Sequence, residues 1–363
     1  MLKEKLMERK LPALMAHNDG RAVKTAADWR ERRLELIDIL SREVYGYTPA
    51  APEKVTGIIL EGGNNPEVNL AAFANKATQQ VVHLSFETPK GEFSFPFTLI
   101  VPKAVKKAPV FVNINFRPDI PDRYLPVEEI IDHGFAIATM FYKDVTDDSD
   151  NFDKLATMYP RDEKTGWGKI GMWAFAASRI LDYLETRDDI DATRAAVCGH
   201  SRLGKTALWC GAQDERFSMV ISNNSGCSGA AISRDKVGES IERITTVFPY
   251  WFCGNYKGWS GREHEAPFDQ HMLLSLAAPR KLYVCSAEED DWADPESEFL
   301  SCVAASEAWK LLRVPGLVTE DKMPELNVPL MDGGVCYHVR TGAHFHSRTD
   351  WLFHMACREK FGV

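Results

Sequence analysis

The segment Cys198-Gly199-His200-Ser201-Arg202-Leu203-Gly204-Lys205 closes an apolar run and opens a helical stretch through Thr206, Ala207, Leu208 and Trp209. A serine at such a junction stands on a tight turn that lifts its hydroxyl clear of the sheet and turns backbone N–H groups toward an incoming oxyanion. Ser201 is therefore the candidate nucleophile. The pattern departs from G-x-S-x-G, because Leu203 holds the second position after the serine and the glycine comes one residue later, at Gly204. An activated serine needs a base, and the base needs a carboxylate to hold its tautomer. On an open α/β sheet these follow in the order serine, acid, histidine, each just past the carboxyl end of a strand. The run 281–287 leads into Glu288-Glu289-Asp290-Asp291-Trp292-Ala293-Asp294-Pro295, and the run 334–340 leads into Thr341-Gly342-Ala343-His344-Phe345-His346. Asp290 is the candidate acid, with Asp294 in reserve and Glu288 behind both. His344 is the candidate base and His346 its alternative.

Arg202 and Lys205 put two cations into the first turn of a helix, where the macrodipole disfavours each by about 0.3–1 kcal/mol. Something negative should compensate them. A developing oxyanion at Ser201 and an electron-rich substrate group would do so; otherwise both side chains bend outward into water. His344 and His346 could form half of a metal site, but no second ligand pair stands at a recognisable spacing, so neither a metal nor a cofactor is expected. Arg262-Glu263-His264-Glu265 reads as a charged loop, and Asp269-Gln270-His271 as the cap of a short helix over 272–278.

The elements that must position these residues follow from periodicity. Thr25 to Tyr45 is an amphipathic helix with Trp29, Leu36, Ile37, Leu40 and Val44 on one face, Thr25 as cap and Gly46 as stop. Residues 80–101 form a hairpin about Thr88-Pro89-Lys90-Gly91, in which Phe93, Phe95, Phe97 and Leu99 alternate. Beyond it come short continuous apolar runs at 109–116, 135–142, 194–201, 218–225, 281–287 and 334–340, the signature of parallel strands covered on both faces. Trp173, Ala177, Ile180, Leu181 and Leu184 mark an intervening helix. The expectation is one α/β domain over 1–363, a doubly wound, mostly parallel sheet with helices on both faces. Residues 1–75 would form a helical arm, and a long insertion over 225–280 a pocket wall or lid.

The chain has 363 residues, 45% hydrophobic, with a net charge of −9 that is spread without blocks. That distribution argues against nucleic acid or an anionic membrane as partner. The first residues, MLKEKLMERKLPALMAHNDG, interrupt every apolar stretch with charge, so no export signal or membrane span is read there. The eight cysteines form no C-x-x-C pair and suit buried thiols in a reducing cytoplasm. Oligomeric state is not readable from the sequence.

Gly199-x-Ser201-Arg202-x-Gly204-Lys205 resembles the G-C-S-R-x-G-K signature of carbohydrate esterase family 15, the glucuronoyl esterases, and their acetylxylan esterase-like bacterial relatives. Further matches are Ser225-Gly226-x-x-Gly229, Gly238-Glu239, Phe248-Pro249-x-Trp251-Phe252, Ser286-Ala287-Glu288-x-Asp290-x-Trp292 and Gly342-x-His344. The resemblance implies the α/β-hydrolase fold and a serine esterase with Ser201 as nucleophile, His344 as base and Arg202 as oxyanion stabiliser. It also implies that Lys205, Glu239 and Trp292 contact the sugar. The family often places its acid before the S-G stretch, where this chain has Asn224, so Asp290 must serve; His200 replaces a frequent cysteine. The expected substrate is a small carbohydrate ester, a glucuronate ester ahead of an acetylated sugar. The competing readings are a sugar-binding homologue without catalysis and a peptidase on the same fold.

Overall fold

The computed structural model describes residues 2–60 and 73–363. A capping box opens α2 (Ala26–Leu40): Thr25 accepts from the Asp28 N–H while the Asp28 carboxylate accepts from the Thr25 N–H. The α-helix expected to reach Tyr45 changes pitch and finishes as a π-helical turn over Ser41–Tyr45. Before it stands the short helix α1 (Leu2–Arg9). The arm is not wholly helical: β1 (Val55–Ile59) joins the sheet edge, and residues 61–72 of the expected arm lie outside the described residues.

The hairpin pairs β2 (Ala77–Thr88) with β3 (Gly91–Pro102) in the register Thr88↔Gly91, as the turn residues require. Six strands then run parallel: β4 (Ala108–Asn115), β5 (Ala136–Phe141), β6 (Ile190–His200), β7 (Met219–Asn223), β8 (Lys281–Ala287) and β9 (Val335–Arg340). Among the described residues the sheet has nine strands in the order β1-β2-β3-β5-β4-β6-β7-β8-β9, the α/β-hydrolase arrangement. Its central strands show no polar alternation in sequence, yet they obey period two in space. Val110, Val112 and Ile114 of β4 enter one core, and Phe111 enters the other.

The larger core lies under α2, α5 (Lys169–Leu184), α6 (Arg202–Gln213) and α9 (Pro295–Leu311). The smaller lies under α3 (Val127–Asp132) and α10 (Arg348–Phe361). A short helix, α4 (Tyr142–Val145), follows β5. Between β7 and β8 runs the long insertion, carrying α7 (Ile241–Val247) and α8 (Gln270–Ser275), the latter capped by Asp269.

The end of the arm pins this insertion. Tyr45 Oη donates to the Ser228 carbonyl (2.8 Å) and accepts from Gln270 Nε2 (3.2 Å), the Cys253 N–H donates to Val44 O (2.9 Å), and Asn255 Nδ2 donates to Arg42 O (2.9 Å). Residues far apart in the chain thus hold the loop that lines the site. Tyr45→Phe leaves a buried carbonyl unpaired and should cost about 1–3 kcal/mol in urea unfolding. Tyr47→Phe, at a hydroxyl that is half exposed and bonded to Asp38, should cost less than about 0.5 kcal/mol. Equal losses would show that the Tyr45 contacts do not secure the insertion.

Candidate active site

Ser201 sits between β6 and α6 with φ 57° and ψ −126°, a conformation that costs a non-glycine residue of order 1–3 kcal/mol. The turn closes so tightly that a Cβ on Gly199 would lie 2.0 Å from the Leu203 carbonyl oxygen. Glycine is therefore obligatory before the serine, whereas Leu203 itself is buried in the larger core and needs no glycine. The Ser201 N–H is used by the Asn223 carbonyl (2.8 Å), which docks the elbow on β7.

The two other candidates come from neighbouring strands, β8 and β9, whose carboxyl ends lie side by side. His344 Nδ1 donates to Asp290 Oδ2 at 2.6 Å. The same carboxylate accepts from Asn224 Nδ2 (2.8 Å) and from the Ala293 N–H (3.3 Å). Burial alone would raise the Asp290 acid; the bonds from His344, Asn224 and Ala293 outweigh it and hold the group below the ordinary carboxylate range. Asn224 thus donates to the Asp290 carboxylate.

The alternatives have other work. Asp294 caps α9, accepting from the N–H (3.0 Å) and hydroxyl (2.6 Å) of Ser297 and from the Val237 N–H (2.9 Å). Glu288 is exposed. His346 is buried and stacks on Trp351 at 4.7 Å, while His344 reaches the cavity. His200 lies beneath His344, ring centroids 4.6 Å apart, with Nδ1 on Asn223 Oδ1 (2.5 Å). Burial, then the neighbouring His344, push His200 down to about 3, so it underlies His344 as a neutral ring.

Ser201, Arg202, Lys205, Asn224, Glu239, Asp290, Trp292 and His344 line one cavity of about 360 Å³, completed by Ser225, Gly226, Phe248, Trp251 and Ala293. The insertion supplies Glu239, Phe248 and Trp251. Gly238, at φ 72°, makes this possible: a Cβ there would lie 2.4 Å from the Asp291 carbonyl, and the close approach lets the Glu239 N–H donate to Trp292 O (3.1 Å).

The chain itself supplies the negative charge that compensates Arg202. Asp148, nearly buried, pairs with Arg202 Nη1 and also accepts from Trp251 Nε1 (2.7 Å) and Tyr142 Oη (3.2 Å). The guanidinium lies over the Trp251 ring, 4.6 Å from its centroid. Among the described residues, none forms a hydrogen bond with Arg202 Nε, which is buried. Lys205 is buried, donates to the Ser225 carbonyl, and is lowered by desolvation against the opposing pull of Glu239.

Arg340 is the other residue that sequence reasoning missed. Its guanidinium donates to the carbonyls of Thr341 (3.0 Å), Ala343 (3.0 Å) and Phe345, and pairs with buried Asp350 (2.9 Å), so it shapes the loop that presents His344. Asp148 sits in an acidic run and Arg340 at a strand end; neither position has a sequence signal that separates it from a surface charge.

Behind the wall, Glu298 accepts from Ser286 Oγ (2.5 Å) and the Gly226 N–H (2.8 Å). Burial pushes its carboxyl up to about 7 from an ordinary 4.5, against those two bonds. A carboxyl raised by folding stabilises fully below its unfolded value, and that contribution is lost as pH rises through the folded value. Between about pH 5 and pH 8 the wild type should therefore lose melting temperature relative to Glu298→Gln, which mimics the protonated acid. A gap that stays constant across that range would contradict the assignment.

A family model described as glucuronyl esterase, fungi, matches residues 84–313. The chain is 34% identical to the carbohydrate esterase MZ0003 of an unknown prokaryotic organism, over 94% of this chain and 87% of that one. It is 27% identical to the 4-O-methyl-glucuronoyl methylesterase of Schizophyllum commune, over 84% of this chain and 74% of that one. Among solved structures, the glucuronoyl esterase from Solibacter usitatus superposes with a TM-score of 0.85 at 36% identity, covering 96% of this chain and 97% of that one. A promiscuous family 15 esterase from a marine bacterial metagenome does so with a TM-score of 0.86 at 33% identity, covering 96% of each. By sequence and by fold, the chain belongs to carbohydrate esterase family 15, the glucuronoyl esterase family.

Proposed function

We propose that this chain hydrolyses esters of glucuronic acid or its 4-O-methyl ether by an acyl-enzyme route. The observation that carries the reading is the 2.6 Å bond from His344 Nδ1 to Asp290 at the cavity that also holds Ser201. With Nδ1 protonated and bonded, the Nε2 lone pair is free to take the Ser201 proton. Ser201 Oγ adds to the ester carbonyl, and the tetrahedral oxyanion is met by N–H groups at the start of α6 and by Arg202. The C–O bond to the alcohol breaks as His344 returns the proton to the leaving oxygen, giving a uronoyl ester on Ser201. Water then attacks with His344 again as base, and the uronic acid departs.

The cavity favours a polyhydroxylated acyl group over acetate. Lys205 and Glu239 offer a donor and an acceptor to ring hydroxyls, and half-exposed Trp292 offers an apolar face to a sugar ring. The substrate is thus a small carbohydrate ester, and the names of the relatives agree with it.

Benzyl glucuronate should be turned over and acetylated xylooligosaccharide far more slowly; turnover of the acetate alone would refute the substrate class. Ser201→Ala should lower kcat by on the order of 10⁵–10⁶. Asp290→Asn should lower it by on the order of 10³–10⁴, since the amide stabilises the wrong tautomer. Asp294→Ala should instead cost about 1 kcal/mol of stability through the lost cap with little change in rate. The reverse ranking of Asp290 and Asp294 would reassign the acid.

A further inference from the structure

On the sheet face covered by α10, behind the elbow, three buried side chains from distant parts of the chain converge. They are Cys198 of β6, His346 of the loop that presents His344, and His354 of α10. One ligand atom from each lies within 4.8 Å of the others. Among the described residues, none forms a hydrogen bond with His346 Nε2 or His354 Nδ1, both of which are buried. Leaving a buried polar atom unpaired costs about 1–3 kcal/mol, and two in one cluster ask for a shared partner.

His354 is also oriented as ligating imidazoles are, because its Nε2 faces Cys285 Sγ at 3.3 Å and its ring cannot turn freely. A second group, Cys285, His338 and Asp350, is different. There both His338 nitrogens are engaged, Nδ1 with Tyr283 Oη (2.9 Å) and Nε2 with Asp350 (2.8 Å), so that group is a closed hydrogen-bond network.

We propose that Cys198, His346 and His354 form a zinc site. One thiolate and two imidazoles suit this borderline-soft ion, and three protein ligands leave one position for water. As the sulfur–zinc bond forms, the Cys198 thiol releases its proton to solvent while both histidines bind neutral, so the loaded site carries one net positive charge. No step of ester hydrolysis passes through the ion. It ties the strand beneath the elbow to α10 and to the loop of the base. The sequence could not show this, since the partners of His346 lie on other elements and no spacing links them.

The test is metal content by mass spectrometry of the full chain purified from zinc-supplemented cells, followed by refolding with Co(II). About one zinc per chain is expected, and a thiolate-to-cobalt charge-transfer band after refolding. Both should be lost in Cys198→Ser and in His354→Phe, and retained in Cys302→Ser, a buried thiol on α9 outside the cluster. If Cys198→Ser does not fold, His354→Phe carries the comparison. Wild type with less than about a tenth of a zinc and no band overturns the proposal, leaving a buried water as partner of the two nitrogens. A band that persists in folded Cys198→Ser overturns it equally.

Discussion

The bond between His344 and Asp290 sets the demands that the rest of the site meets. A carboxylate can stay ionised under burial only if donors surround it. His344, Asn224 and the Ala293 N–H are those donors. They come from the segments that follow β9, β7 and β8, so the bond exists only where three parallel strands end along one edge of the sheet. The order of the strands is thereby tied to the tautomer of one imidazole. The loop that delivers the imidazole is fixed in turn: Arg340 gathers its carbonyls, and Ser347 and Asp350 close it with a capping box.

Charge balance governs the other half of the cavity. Two cations at the start of α6 oppose the helix dipole, and each is answered by a different device. Arg202 is paired with Asp148 and laid over Trp251. Lys205 is desolvated beside Glu239 and tied to the Ser225 carbonyl. The insertion brings Glu239, Phe248 and Trp251, and the arm holds the insertion through Tyr45 and the backbone around Val44. An apparently peripheral helix therefore shapes the wall of the cavity.

Much of this was readable from local chemistry. Continuous apolar runs announced parallel strands, the turn residues gave the hairpin register, and Ser201, Asp290 and His344 stood at strand ends in the expected order. Those signals are local because they arise from periodicity and turn conformation. Asp148, Arg340 and the role of Asn224 were not readable, because a buried charge in a loop is distinguished from a solvated one only by what faces it. His200 became intelligible only when the fold stacked it under His344. The departure at Leu203 is likewise a matter of packing: the steric demand falls on Gly199, and the leucine fills the core. β1 was missed because a short edge strand with mixed burial has no strong period.

Irreversible labelling by a fluorophosphonate, followed by peptide mass spectrometry, tests the central claim most directly, since it reports an activated serine without reference to any substrate. A single adduct on Ser201, formed rapidly in the wild type and lost in folded His344→Ala, is the predicted result. An unlabelled Ser201 in folded wild-type protein, or equal labelling without the imidazole, would contradict it.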